Sequence, residues 1–509
     1  MEKKKFDVEF HGTNLFALVP LLLFVVFCIL FFVVFKTFDM MHLCMGGYVA
    51  LIIGSLLSKN WGKYWDAVAT GMSSKIMNEL ALILLIVGMF GKLMTRGGVA
   101  QGFVWLGDKI GLSGGGFVAF TFIATMSSLT CPYSRRCGGC QLLAMSYEEE
   151  LAHKQELARR HLSRFGKLLP ILGAANPCYY RNKVEAAFGL DRSRKVIAGT
   201  YEPRSHRIVD INSCLNEDKN ATAIIVTIKK LLPSFRLAPY DEDARTGFLR
   251  HVLVRRGIHT GEVMVVLVTA SPVFPSRQNF LKALLTAHPE ITTIVQNVNN
   301  RRTSVLLGDR EQTLYGPGFI RDTLCGMSFR ISPRSFYQIN PTQTEVLYRR
   351  AIKAAGLTGK ERVLDAYCGI GTIGMIAAAD AREVIGVEQN PAAVRDAIRN
   401  AKENGVENIR FVAADATEWM QAAAAEKLSI DILLMDPPRS GSTPEFLSAA
   451  VKMAPRRIVY ISCCPETQAR DLALLQKGGY RVTLLQPVDM FPHTEHIENI
   501  AVLERRSTR

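Results

Sequence analysis

The stretch VLDAYCGIGTIG, Val363–Gly374, decides the fold. It reads as a short apolar strand that runs into a glycine loop and then opens a helix. Gly369, Gly371 and Gly374 satisfy the spacing G-x-G-x-x-G, the pattern of a backbone that turns tightly beneath a nucleotide. Working outward, strand-length apolar runs follow at regular intervals: RVLDAYCG, EVIGVEQN, IRFVAADA, DILLMDPP, RIVYISCC and RVTLLQPVDMF. PAAVRDAIRNAKEN and TPEFLSAAVKMA are two of the helical segments between them. This alternation predicts a doubly wound, Rossmann-like α/β domain over residues 336–509.

The glycine pattern alone suits any nucleotide; the acidic residues narrow it. Asp365 stands at the end of the first strand, Glu388 at the end of the second, Asp415 after the third and Asp436 after the fourth. Any one of these could be a helix N-cap. Four in register suit a ligand that carries ribose hydroxyls, an amino group and a positively charged sulfonium, and they suit a diphosphate poorly. The pattern therefore points to S-adenosylmethionine and to a class I methyltransferase.

The fifth strand ends in VYISCCPETQARD, Val459–Asp471, which places Cys463 at the carboxyl edge of the sheet, where ligands bind in such folds. Most cysteines in an apolar strand are inert core residues. A thiolate beside a methyl donor, however, suits methylation of a pyrimidine at carbon 5. Sulfur addition at carbon 6 makes carbon 5 nucleophilic, and a base must then remove the carbon-5 proton so that the sulfur can leave. Glu498, in FPHTEHIENIAVLERR, is the candidate base.

The remaining chain has two textures. The 509 residues carry a net charge of +15, with a sequence pI of about 9.3. Residues 1–130 hold only ten Lys/Arg against seven Asp/Glu, so most of the excess lies after residue 130, as expected for a polyanion-binding segment. Clustered Arg and Lys with aromatic neighbours in YYRNKVEAAFG, RHVLVRRG and NRRTSVLLGDR fit RNA contact, as does Arg439 in the loop after Asp436. GEVMVVLVTA and TTIVQNVNN read as strands. SYEEELAHKQELARRHLSRF, Ser146–Phe165, reads as an amphipathic helix with Ser146 as a candidate cap.

Residues 1–130 read as membrane-associated. Asn14–Phe35 is long enough to cross a hydrocarbon core of about 30 Å. Leu43–Leu57, Leu80–Met94 and Gly114–Leu129 are weaker spans, and MEKKK before the first argues for a cytoplasmic N-terminus. Eleven cysteines with no cleavable leader read as reduced thiols. Cys131, Cys137 and Cys140 form C-x5-C-x2-C, which needs a fourth ligand to close a metal site; Cys178 and Cys214 are both candidates, and tetrahedral zinc fits the spacing.

Residues 131–509 resemble the RNA (uracil-5-)-methyltransferase family, of the type acting on 23S ribosomal RNA. CPYSRRCGGC, YRNKVEAAFG, LRHVLVRRG, FRISPRSFYQINPTQTEVLY, VLDAYCGIGTIG, VIGVEQNPAAVRDA, LLMDPPRSG, VYISCCPETQARDL and PVDMFPHTEHIENI carry the resemblance in order. It implies Cys463 as nucleophile and Glu498 as base. It implies a methyl-donor site of Gln338, Tyr367, Glu388 and Asp436. It also implies a [4Fe–4S] cluster on Cys131, Cys137, Cys140 and Cys214, within an iron–sulfur and central RNA-binding α+β domain at 131–335. Cys464 stands where the family usually has Asn, and Ala144 where it often has His. Relatives often begin with a small β-barrel RNA-binding domain; here the apolar segment takes that place. Residues 1–130 resemble the start of a sodium/proton antiporter of the malate/lactate type, on GSLLSKNWGKYWDAVATGM, ILLIVGMFGKLM and their neighbours. The leading expectation is a cytoplasmic enzyme, tethered through residues 14–129, that forms 5-methyluridine in 23S ribosomal RNA. The same chemistry on transfer RNA and an antiporter fragment with a passenger domain are the alternatives.

Overall fold

The computed structural model describes residues 8–11, 14–29, 40–72, 131–302 and 305–506. The chain divides into two compact units, Met1–Leu129 and Thr130–Arg509.

In the first unit a 3-10 turn, Asn14–Leu18, precedes helices Val19–Ile29, Met40–Leu56 and Trp61–Met72. The Phe10 and Tyr64 rings meet edge to face at 6.3 Å, and His11 N–H donates to the Leu57 carbonyl at 2.9 Å. The expected membrane spans are not found here: no helix among the described residues is long and apolar enough to cross a bilayer. The Asn14–Phe35 run is split. Its first five residues wind as 3-10, and the α-helix that follows has 11 residues to Ile29. Residues 30–35 of the run lie outside the described residues. Leu43–Leu57 falls largely in the 17-residue helix Met40–Leu56. Leu80–Met94 and Gly114–Leu129 lie outside the described residues.

The second unit contains two seven-stranded sheets. The first has strands β1 (Lys183–Leu190), β2 (Val196–Tyr201), β3 (Ile208–Asp210), β4 (Leu249–Arg256), β5 (Val263–Thr269), β6 (Ile291–Val298) and β7 (Arg310–Tyr315), in the order β3-β2-β1-β4-β5-β6-β7. β5 is buried along its whole length, as its unbroken VMVVLVT run demands. Helices Lys219–Ser234 and Arg277–Ala287 cover one face through Ile224, Ile228, Phe280 and Leu284. A hairpin of β8 (Ile320–Leu324) and β9 (Met327–Ile331) leads to helix Pro341–Ala355, capped by Asn340.

The second sheet comprises β10 (Arg362–Ala366), β11 (Glu383–Glu388), β12 (Ile409–Ala413), β13 (Ile432–Met435), β14 (Arg457–Ser462), β15 (Tyr480–Val488) and β16 (Glu498–Arg505). Its order is β12-β11-β10-β13-β14-β16-β15. The first five strands are parallel, and the chain reverses direction through the sheet at β10, the switch point where doubly wound folds bind ligands. β16 inserts antiparallel between β14 and β15. The sequence showed six strands here; the seventh, ENIAVLER, was not distinguished from the loop before it.

Helix Tyr147–Leu162 begins with a full capping box: Ser146 accepts from Glu149 N–H, and the Glu149 carboxylate accepts from Ser146 N–H. Lys154 on this helix is wholly buried. Its Nζ donates to Glu150 Oε1 at 2.7 Å, to Asp489 Oδ1 at 2.7 Å and to the Phe491 carbonyl at 3.1 Å. This ties the helix to the segment joining β15 to β16.

Candidate active site

Local chain geometry assembles the site at the carboxyl ends of the second sheet. Gly374 opens the helix after the glycine loop and donates its N–H to Asp365 Oδ2 at 2.8 Å. A Cβ at that position would meet the same carboxylate at 2.7 Å, so only glycine allows the approach. Gly369 sits at φ +56 with nothing within 4 Å of where a Cβ would stand, facing open space. Tyr367, just before it, is held at φ +65 and sets its hydroxyl 3.3 Å from the Ser442 hydroxyl. A bulky residue in the left-handed region marks backbone strain of the kind that collects at functional loops.

These features surround a cavity of about 630 Å³, within the usual range for a small-molecule site. Gln338, Tyr367, Glu388, Asp436, Cys463 and Glu498 all line it. Glu388 anchors the loop, accepting from Gly369 N–H at 3.1 Å and from Asn390 N–H at 2.8 Å. Asp415 lines the cavity too, but its carboxylate also caps the next helix, accepting from Thr417 and Glu418 N–H at 2.8 and 3.1 Å. Gln338 hydrogen-bonds the buried Tyr348 hydroxyl.

The cavity floor is acidic and short of cations. Burial drives the Asp365 carboxyl up to about 8, with Asp436 and Glu388 adding to the rise against the Gly374 hydrogen bond. Burial likewise raises Asp436. Asp365 Oδ1 and Glu498 Oε2 are buried with no hydrogen-bond partner. Glu388, Asp436 and Glu498 line the cavity itself, so it fits a ligand that brings positive charge and donors. S-adenosylmethionine meets both requirements.

The nucleophile and the base are brought together by strand register. β14 and β16 run antiparallel with Ser462 opposite Asn499, the last pair before the strands end. Cys463 and Glu498 are the next residues on each side, so they face each other across the mouth of the same ladder. Asn499 reinforces the pairing: its side chain donates to Gln468 Oε1 at 2.8 Å, and the Gln468 amide donates to the Tyr460 carbonyl at 3.0 Å. Glu498 is buried, and burial pushes its carboxyl well above its ordinary value; Asp436 pushes the same way and Arg439 opposes both. Burial pushes the Cys463 thiol up to about 11, helped by Glu498 and Asp436, while Arg439, hydrogen-bonded to it, pulls it down.

Two residues at this site were not assigned from the sequence. Phe336, 69 % exposed, lines the cavity mouth and presents an aromatic face to solvent. Its signal was its place in SPRSFYQIN beside Gln338. Arg439, which the sequence offered only as a base or phosphate contact, touches the nucleophile.

The cysteine motif also converges. Cys131, Cys137, Cys140 and Cys214 line one small pocket, and Cys178 does not. Burial, then the neighbouring Cys214, Cys137 and Cys131, push the Cys140 thiol up to about 12; burial, then Glu217, push Cys214 up to about 11. Mutually raised thiols around one apolar space match the donor set of a cationic centre. No group of three or more His, Cys, Asp or Glu among the described residues is disposed to hold a metal ion as it stands, so the expected metal centre is not shown by the geometry.

Comparison with known proteins places these features in a family. The model of the tRNA (uracil-5-)-methyltransferase family matches residues 320–506. An uncharacterized RNA methyltransferase of Halalkalibacterium halodurans is 44% identical over 382 residues, covering 74% of this chain and 83% of the relative. Another, from Clostridium acetobutylicum, is 40% identical over 382 residues, with the same two coverages. The crystal structure of the Pyrococcus abyssi tRNA (uracil-54, C5)-methyltransferase in complex with S-adenosyl-L-homocysteine superposes with a TM-score of 0.60 at 29% identity, covering 72% of this chain and 85% of that one. The antiporter resemblance of residues 1–130 finds no support in these comparisons. The chain belongs to the S-adenosylmethionine-dependent RNA (uracil-5-)-methyltransferase family.

Proposed function

We propose that the protein forms 5-methyluridine in 23S ribosomal RNA through a covalent bond between Cys463 and carbon 6 of the target uracil. The observation that carries the chemistry is the register of β14 and β16, which sets Cys463 and Glu498 side by side in the cofactor cavity. Gln338, Tyr367, Glu388 and Asp436 would hold S-adenosylmethionine, which when bound supplies an electrophilic methyl group.

The chain's own residues do the rest. Arg439 hydrogen-bonds the Cys463 sulfur and favours its ionised form. The sulfur bonds to carbon 6, and the electron pair of the C5=C6 double bond moves toward the carbonyl oxygen. Glu498, protonated because it is buried, gives its proton to that oxygen and becomes a carboxylate. As carbon 5 takes up its methyl group the carbonyl re-forms and its oxygen releases that proton to solvent; the Glu498 carboxylate then takes the carbon-5 proton, the C6–S bond breaks and Cys463 is regenerated as the thiolate. Phe336 offers a face on which an unstacked base can rest.

The convergence of four cysteines on one pocket supports a [4Fe–4S] cluster on Cys131, Cys137, Cys140 and Cys214. The cluster motif in turn favours ribosomal RNA. A second reading, the same chemistry on transfer RNA, is favoured by the similarity to the Pyrococcus abyssi enzyme.

Incubation of the full chain with methyl-labelled S-adenosylmethionine and unmodified 23S ribosomal or transfer RNA tests both. Label in 5-methyluridine of the ribosomal RNA supports the first reading; label in transfer RNA alone replaces it with the second. Label in neither refutes the proposal.

A further inference from the structure

Cys178 was a candidate metal ligand, and the fold assigns it elsewhere. It lines neither the four-cysteine pocket nor the cofactor cavity. Its sulfur lies 3.7 Å from His493 Nε2. The other ring nitrogen, Nδ1, is 3.4 Å from Glu150 Oε2, and His493 N–H donates to Glu150 Oε1 at 2.7 Å. Glu150 is wholly buried, and its Oε2 has no other partner. A thiol, an imidazole and an orienting carboxylate in sequence are the arrangement that activates a nucleophile. His493 holds its place at φ +67, strained for a residue other than glycine. Nothing in the methyl-transfer chemistry uses these three groups.

The electrostatics agree with the geometry. Burial by itself would lower the His493 imidazole, but Cys178 and Glu150 outweigh it and raise the ring to about 9. The ring is then a cation at neutral pH, set against the Cys178 sulfur. The other ionisable groups packed around the pair are Lys154, Asp489 and Tyr147, which bond to one another or to Glu150. Lys154 engages Glu150 only through Oε1, leaving Oε2 to His493.

We propose that Cys178, His493 and Glu150 form an activated-thiol site, distinct from the methyl-transfer centre, that reacts with hydroperoxides. The Cys178 sulfur attacks one peroxide oxygen. An S–O bond forms, the O–O bond breaks, and the leaving alkoxide, hydroxide in the case of hydrogen peroxide, takes the His493 proton and departs as an alcohol or as water. Sulfur is oxidised by two electrons to a sulfenic acid, and the peroxide is reduced by two. The site has a route to the rest of the protein. His493 lies between β15 and β16, two residues after the cavity-lining Phe491, and its carbonyl accepts from Leu142 N–H at 3.1 Å in the loop after Cys140.

The test treats the full chain with hydrogen peroxide in the presence of dimedone and maps the adducts by peptide mass spectrometry. Cys325 is the internal comparison: it too is half-buried, and its thiol is pushed up to about 11 by burial. Cys178 is expected to be trapped at least ten times faster than Cys325. In His493→Asn, chosen because Asn tolerates a positive φ, its rate falls toward that of Cys325. Brief alkylation of the unmutated protein with iodoacetamide should show the same preference and does not depend on the variant folding. Equal trapping of the two cysteines in the unmutated protein, or an unchanged Cys178 rate in folded His493→Asn, overturns the proposal.

Discussion

Replacing Glu498 by Gln separates the two halves of the proposed reaction. The substitution is nearly isosteric and keeps a hydrogen-bonding side chain, but glutamine cannot take a proton from carbon 5. Loss of a positioned base or acid slows a step by about 10²–10⁴, or roughly 3–5 kcal/mol of barrier at 1.36 kcal/mol per decade. The structure places Glu498 toward the upper end. The residue is 4 % exposed and its Oε2 accepts no hydrogen bond among the described residues, so bulk water has poor access to act in its stead. Bond formation by Cys463 is slowed less than its release, because Arg439 still favours the ionised sulfur. The variant should therefore trap RNA covalently. The assay is denaturing gel electrophoresis of the variant with S-adenosylmethionine and a uracil-containing RNA, alongside steady-state methyl transfer. A band of protein joined to RNA, absent in Cys463→Ala/Glu498→Gln, is expected with turnover reduced at least a hundredfold. Turnover within tenfold of the unmutated enzyme would show that Glu498 is not the base.

Other outcomes follow from the same geometry. Burial pushes the Cys463 thiol up to about 11, so with no ligand bound its alkylation by iodoacetamide should rise about tenfold per pH unit from 7 to 9; a plateau within that window would contradict the site electrostatics. Arg439→Gln should slow that reaction at every pH, measured by the same labelling. Lys154→Met removes the cation between two buried carboxylates and should destabilise the second unit by about 3–5 kcal/mol at pH 7, read as a denaturation midpoint. In that variant Glu150 and Asp489 would have folded-state pKa values above their unfolded ones. The deficit should therefore shrink toward pH 5 and grow as pH rises through the raised values. Cys137→Ser should abolish iron in anaerobically purified protein while leaving S-adenosylmethionine binding intact; unchanged iron would remove that cysteine from the proposed ligand set.

Much of the catalytic domain was legible in the chain because its signals are local. Val363–Gly374 needs glycine where the backbone presses on Asp365 and where it opens toward the cavity. The strand-end acids follow from the period of the fold, and Ser146 with Glu149 spells out a helix start. Asp415 shows the limit of such reading: its strand-end position was correct, yet its carboxylate also caps a helix. ENIAVLER was hidden for a different reason. Its insertion between β14 and β15 depends on pairing with residues about forty positions away, and no local pattern encodes that register.

The sequence by itself determined the chemistry available: a glycine loop, a set of acids, a cysteine at a strand end and a C-terminal glutamate. Only the tertiary structure decided which of these meet. Antiparallel pairing of β14 with β16 sets Glu498 beside Cys463, and burial raises both groups while Arg439 opposes the rise. The same packing sends Cys214 to the other three cysteines and Cys178 to His493. These are two thiols that the spacing of C-x5-C-x2-C could not tell apart, because contacts between distant segments, and not spacing, decide a cysteine's partner.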